Sequence, residues 1–300
     1  MLNNLTIVII TFKRYGYLKR QLNFYLSYKS QAKILILDST PDDPEDKELQ
    51  FLLSHENVEW KKYDQTIFFP EKIALGCQYI ETEYAVLSTD DDLLIPTSLE
   101  LCKDFLGRHS QYSSAHGLWF KHRVGRGFIK KTFWLDSLYS GTASSLEEKT
   151  GTNRIIQYLN GNSPYYPMYA VHATNIFRLI WQETTKHVKH QGLSEIFPSC
   201  MSFAYGKMKV LPIFYCSREP NNYTAWEDKE TLQEVYSEEK ITMAVTGLAP
   251  HLVKLDYLEL KNAESLLQNA FKVCIMRQSI HIEDQLLVNS SVLISFFKKI

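Results

Sequence analysis

The chain has 300 residues, a formal net charge of −1 and 45% hydrophobic residues, enough for one large α/β domain or a domain with a small appendage. Near-neutral charge with scattered Lys and Arg leaves no electrostatic footprint for nucleic acid. Five cysteines, an odd number without a CxxC pair, argue against a disulfide framework or a zinc site and fit a reducing compartment. No apolar run is long enough to span a membrane, and the N-terminus lacks the basic start of a signal peptide.

Leu5 to Ile10 is β-branched and almost wholly apolar, which predicts a strand buried on both faces, as in a parallel sheet. Tyr15 to Ser27 then has Leu18, Leu22 and Tyr25 at helical spacing. Lys33 to Leu37 is a second buried strand, and Pro41 to Pro44 is a loop. Asn57 to Tyr63 reads as a shorter strand. Ile73, Cys77 and Ile80 form a helical stripe. Tyr84 to Ser88 is a further strand, followed by Asp90-Asp91-Asp92. Thr97 to Glu100 has the pattern of a capping box opening the next helix.

This alternation implies a mostly parallel sheet flanked by helices. Ligands in such sheets bind beyond the carboxyl ends of the strands. Thr11, Asp38 and the aspartates each follow a strand, so they converge on one crevice.

Farther on, His116 to Phe120 and Phe128 to Trp134 read as short strands. Asp136 to Asn153, rich in Ser, Thr and Gly, reads as a long mobile loop suited to a lid. Ser194 to Tyr205 is a helix and Met208 to Tyr215 a strand. Beyond about Trp226 the pattern turns helical, with a stripe of Leu266, Ala270, Phe271 and Cys274. The expected division is a domain over residues 1–225 and a helical extension over 226–300.

Three adjacent carboxylates after a buried strand repel one another, and burying them is costly without a counter-charge. A divalent cation supplies it. Hard oxygen ligands in small number favour Mg²⁺ or Mn²⁺. The plain alternative is a solvated acidic turn. Asp38 either accepts hydrogen bonds from a nucleoside or is a turn aspartate before Ser39-Thr40-Pro41. Thr11 and Arg14 follow the first strand in a segment without GxGxxG, which disfavours a dinucleotide site. Arg218 pairs either with diphosphate oxygens or with Glu219 or Asp228. Trp119, Tyr165, Tyr166 and Trp226 are sugar-stacking or core aromatics. His187 and His190 lack metal spacing. The terminal run Val292 to Ile300 is a packed element or a membrane-surface contact.

Thr6 to Arg14, Leu37-Asp38-Ser39, and Tyr84 to Pro96 with its DDD-x-x-x-P ending together resemble the family 2 glycosyltransferases, and within them a bacterial subgroup with that ending. The resemblance spans roughly residues 5–220. It implies a GT-A fold and a nucleoside-diphosphate sugar donor, with a glycan or lipid-linked acceptor in bacterial surface polysaccharide synthesis. By motif position, Thr11 and Asp38 would contact the base, and Asp90 the ribose region. Asp92, with Asp90, would hold the metal. Arg14, Lys72, Asp91 and Arg218 would line the donor site. The family's ED pair appears here as Ser194-Glu195, which makes Glu195 the candidate base of an inverting transfer. An N-terminal helix residue favoured by the helix dipole is the alternative for Glu195. Asp136, Glu147 and Glu183 are rival bases. The QxxRW motif of processive membrane synthases is absent. The implied protein is cytoplasmic, with peripheral membrane contact. A sugar nucleotidyltransferase would need a Gly-rich phosphate loop, which is missing. A binding domain without catalysis is the remaining rival.

Overall fold

The computed structural model describes residues 2–28, 31–126, 131–138, 144–162, 167–218 and 237–276. Strand β1 (Leu5–Thr11) lies at the centre of the first half of the sheet, pairing in parallel with β2 (Lys33–Asp38) and β4 (Tyr84–Thr89). β3 (Val58–Lys62) extends the sheet in parallel beyond β2. The apolar runs are explained by helices on both faces: Leu5, Ile7, Val8, Ile9, Ile36 and Leu37 are fully buried.

Helix α1 (Tyr15–Ser27) buries its stripe of Leu18, Leu22 and Tyr25. Each such side chain contributes roughly 1.5–3 kcal/mol. α2 (Lys47–Leu53), capped by Asp46, is a short helix without a clear apolar pattern of its own. α3 (Phe69–Gly76) carries Ile73 inward and continues into a tight turn over Cys77–Tyr79.

Register sets the site. Thr11 pairs with Asp38, and Ile10 pairs with Thr89. The carboxyl ends of β1, β2 and β4 therefore lie level, as the alternating pattern requires.

The second half of the sheet is more mixed. Its order is β3-β2-β1-β4-β8-β6-β9-β5, with β7 paired to β6. β6 (Tyr112–Arg126) and β7 (Lys131–Leu138) form an antiparallel pair, so the two short strands expected there are one long hairpin. β8 (Val171–Ala173) runs antiparallel between β4 and β6. β9 (Lys207–Arg218) runs parallel to β6 and antiparallel to β5 (Asp92–Leu94). By length of pairing the sheet remains mostly parallel, and the expected α/β class holds.

The expected capping box is not formed. α4 (Pro96–Arg108) starts with Ile95 at its cap position and Pro96 in its first turn, and no side chain caps it. Proline there removes an amide that would otherwise need a partner. Ser98 instead donates its hydroxyl to the Phe214 carbonyl, 2.5 Å away.

Residues 136–153 are not one open loop either. Their first three residues end β7, and their last three begin α5 (Gly151–Gln157). Between these, Leu146 is 1% exposed and exchanges backbone hydrogen bonds with Met208 at 3.1 and 3.0 Å. One buried leucine outweighs a polar composition.

A second core lies under α5, α6 (Thr174–His187), α7 (Ile196–Tyr205) and α8 (Glu238–Asp256), and includes the helical stretch 260–276. In that last stretch Leu267 is buried beside Ala270, Phe271 and Cys274, while Leu266 is 38% exposed, a shift of one position from the expected stripe. The expected boundary at 225/226 and the terminal run Val292 to Ile300 lie outside the described residues. All five cysteines are buried free thiols.

Candidate active site

The acidic triplet starts in the turn after β4 and ends in β5. Asp90 is 2% exposed and Asp92 1%. Each carboxylate has an arginine. Arg14, just before α1, reaches Asp90 Oδ1 at 3.1 Å and Asp91 Oδ2 at 3.0 Å. Thr11 donates its hydroxyl to Asp90 Oδ2 at 2.8 Å. Arg218, the last residue of β9, grips Asp92 with both oxygens engaged, Nε to Oδ1 at 2.8 Å and a terminal nitrogen to Oδ2 at 2.7 Å. Thr89 also donates to Asp92 Oδ2, at 2.9 Å. Arg218 therefore pairs with the triplet from the neighbouring strand. Its sequence-based partners, Glu219 and Asp228, lie outside the described residues.

Two arginines do not quite balance this turn. Burial, together with the neighbouring Asp91 and Asp92, pushes the Asp90 carboxyl up to about 7, against the pull of Arg14 and Thr11. Burial raises Asp91 as well, but Arg14 more than offsets it and holds that carboxyl below its usual range. Burial opposes the charge on Arg218, and the Asp92 pair more than restores it.

Asp38 is fully buried, with most of its donors gathered on Oδ2. It accepts from Tyr15 Oη at 2.8 Å, the Thr40 amide at 2.8 Å and Trp60 Nε1 at 3.2 Å, with Lys62 Nζ at 3.4 Å. Among these partners Lys62, 31% exposed, is the most readily moved, which gives a nucleoside a route to Oδ2. Lys72 is 4% exposed and joins the ends of β1 and β2, donating to the Thr11 carbonyl at 3.1 Å and Ser39 Oγ at 2.7 Å. Burial lowers its ammonium to about 8, partly opposed by Asp38 and Asp90.

Glu195 sits at the cap position of α7. Tyr169 Oη lies 3.5 Å from its Oε1. Burial raises its carboxyl above the usual range, while Arg218 and the Tyr169 contact oppose this and Asp92 adds to it. Glu195 thus shares one electrostatic neighbourhood with Asp92 and Arg218. The rival acids are engaged elsewhere. Glu147 binds Tyr112 and Lys209, and Glu183 binds Lys186 beside His187 and His251. The side chain of Asp136 lies outside the described residues.

Thr11, Arg14, Asp38, Lys72, Asp90, Asp91, Asp92, Arg218 and Glu195 therefore form one connected set. Several members were missed. Tyr169, 5% exposed, packs between Glu195 and Arg218, with the guanidinium 5.7 Å from its ring. Trp119, weighed as a sugar platform, is 4% exposed and stacks on Arg218 at 4.9 Å. Tyr165, Tyr166 and Trp226 lie outside the described residues. Gln21 was also passed over, although a polar residue on the buried stripe of α1 is a legible signal.

The donor chemistry fits a phosphate-borne cation better than an all-protein cage. Among the described residues no three His, Cys, Asp or Glu side chains are arranged to hold a metal. Mg²⁺ is usually held by one or two carboxylates plus substrate phosphates and water. The turn supplies hard oxygens and surplus negative charge, and Asp92 Oδ1 accepts one hydrogen bond where a carboxylate oxygen can take two partners.

No protein-family model matches the chain, and no curated protein is similar to it in sequence. Its fold has solved counterparts. Residues 1–349 of S. aureus TarS superpose with a TM-score of 0.53 at 14% identity, over 89% of this chain and 70% of that one. The same piece in complex with UDP-GlcNAc gives 0.54 at 14% identity, over 90% and 72%. A longer TarS structure gives 0.51 at 13% identity, over 88% of this chain and 42% of that one. At such identity the likeness establishes the fold alone: a GT-A-type α/β architecture with a mostly parallel sheet flanked by helices.

Proposed function

We propose that this chain is a nucleotide-sugar-dependent glycosyltransferase of the family 2 type. It moves a sugar, with inversion, from a nucleoside diphosphate to a glycan or lipid-linked acceptor in bacterial surface polysaccharide synthesis. One observation carries this reading. The acidic turn, two arginines and Glu195 converge at the carboxyl edge of the sheet, where open α/β sheets bind ligands. The TarS complex with UDP-GlcNAc supports a donor of that class.

In this proposal Thr11 and Asp38 wall the nucleoside site, with Lys62 yielding its place on Asp38. Lys72 adds positive charge behind the wall. Asp90 serves the ribose, and Arg14 and Arg218 exchange carboxylate partners for diphosphate oxygens, a geometry guanidinium suits. Asp92, with Asp90, would hold Mn²⁺ or Mg²⁺. When bound, that ion would stabilise the charge of the departing diphosphate.

Glu195 takes the acceptor proton. A partly desolvated carboxylate with a raised proton affinity is a stronger base than one in water, and Arg218 keeps it ionisable. Tyr169 holds its Oε1 side. Direct displacement with one base inverts the anomeric centre.

Residues 1–225 form the transferase domain in this reading, and 226–300 a helical extension, of which α8 contacts α5, α6 and α7. No helix among the described residues is long and apolar enough to cross a membrane. Buried free thiols support a reducing, cytoplasmic setting, and the terminal run Val292 to Ile300 is the candidate for peripheral contact at the inner face of the membrane.

The test is nucleoside diphosphate release from a panel of UDP-, GDP- and TDP-sugars with Mn²⁺. Release from one donor, stopped by a chelator and absent in Asp92→Asn, is the expected result. No release from any donor, with or without glycan acceptors, counts against the proposal.

A further inference from the structure

Gln21 occupies a position where helix amphipathicity calls for an apolar side chain. It shares the buried face of α1 with Leu18, Leu22 and Tyr25 and is 0% exposed. Its amide nitrogen reaches Ser88 Oγ at 2.9 Å, the Thr89 carbonyl at 2.9 Å and the Asp92 carbonyl at 2.6 Å. Those two carbonyls bracket Asp90 and Asp91. They also decide which way the amide faces, because its oxygen turned toward them would meet two acceptors. The amide oxygen has no hydrogen-bond partner among the described residues, so the group serves here as a donor.

The same helix holds the turn at two further points. Tyr25 Oη, one turn along, accepts from the Leu94 amide at 3.1 Å. Arg14, at the start of α1, takes the Asp90 and Asp91 carboxylates. Three like charges on one short turn push it open. A donor tied to the carbonyls on either side holds it closed.

We propose that Gln21 is a positioning residue that staples the Thr89–Asp92 turn across its base. The staple aims Asp90 and Asp91 at Arg14, and Asp92 at Arg218, before any ligand arrives. Its consequence for donor binding rests on the transferase reading above. Its consequence for the turn does not.

Two measurements on Gln21→Met, which keeps the length and removes the donor, separate these claims. The first is hydrogen exchange of the amides of residues 90–94 in the free protein. Faster exchange there, with the rest of the sheet unchanged, is expected. The second is calorimetric binding of UDP with Mn²⁺. Partners that orient metal-binding carboxylates typically govern affinity by 10–100-fold, and a loss of about that size is expected. Gln21→Glu, whose protonated carboxyl offers one donor, should recover part of it. If Gln21→Met does not fold, Gln21→Asn carries the same expectations, since its amide falls one carbon short. Unchanged exchange and unchanged affinity in a folded variant overturn the staple. Faster exchange in a protein whose wild type binds no nucleoside diphosphate leaves the staple standing and removes the donor reading.

Discussion

Asp92 and Arg218 face each other in register across the β5–β9 pair, and two hydrogen bonds of 2.8 and 2.7 Å join their side chains. The guanidinium thus competes with any cation for Asp92, and its charge also acts on Glu195. Arg218→Met separates the two roles. Mn²⁺ alone should bind more tightly to the variant, because its competitor for Asp92 is gone. UDP with Mn²⁺ should bind at least about tenfold more weakly, through loss of a charge-assisted pair. Titration calorimetry reads both. Equal Mn²⁺ affinity in the two proteins would show that Arg218 does not guard the metal side of Asp92.

Glu195→Gln preserves size and hydrogen bonding and removes the basic lone pair. Donor affinity should be nearly unchanged, since the base faces the acceptor. Turnover should fall by roughly 10²–10⁴-fold, the usual contribution of a positioned base. NMR of the product should show an anomeric configuration opposite to the donor's. A retained configuration would remove the need for this base. Inversion at near-normal rate would move the role to another acid.

The fold should lose stability in mild acid through two histidines. His116 and His172 are each 1% exposed, and burial lowers both to about 4. The unfolded chain takes up these protons near pH 6.5, and the folded protein does so only near 4. Their contribution is therefore full above pH 6.5, is lost between about 6.5 and 4, and changes no further below. A shift of this size corresponds to at most about 3–4 kcal/mol per histidine. Urea denaturation from pH 7 to 4 reads the slope, and His172→Gln should flatten it. A slope identical in the variant would assign the acid loss to carboxylates instead.

The segment before α5 should behave as part of the sheet. Leu146 exchanges backbone hydrogen bonds with Met208, and Glu147 pairs with Lys209 at 2.8 Å. The Leu146 amide should exchange slowly with or without donor. Leu146→Ala should cost about 2–5 kcal/mol, the range for emptying a buried leucine site. Donor-dependent exchange at Leu146 would restore the lid role that its polar neighbours suggest.

What was legible in the sequence follows the range of the interactions. β1, β2, β4 and α1 show in their apolar patterns because each buries a face of its own. Asp38 and the acidic triplet show because they follow those strands directly. β5 does not show: it is three residues long and exists because Leu93 and Leu94 pair with Ser217 and Cys216 far along the chain. The partner of Arg218 was illegible for the same reason. Pro96 overrode the capping pattern, and Leu146 overrode the loop composition. Tyr169 and Gln21 matter through neighbours that only the closed sheet brings within reach.

The most direct test of the central claim is thermal unfolding of wild type and Asp92→Asn across nucleoside diphosphates, each with Mn²⁺ and with a chelator. A ligand that binds only the folded state at 100 times its Kd adds about 2.7 kcal/mol. One diphosphate should raise the wild-type Tm by several degrees with Mn²⁺, and that rise should vanish on chelation and in Asp92→Asn. A wild type that responds to none of them, or an equal rise in Asp92→Asn without metal, would contradict a donor site built on the acidic turn.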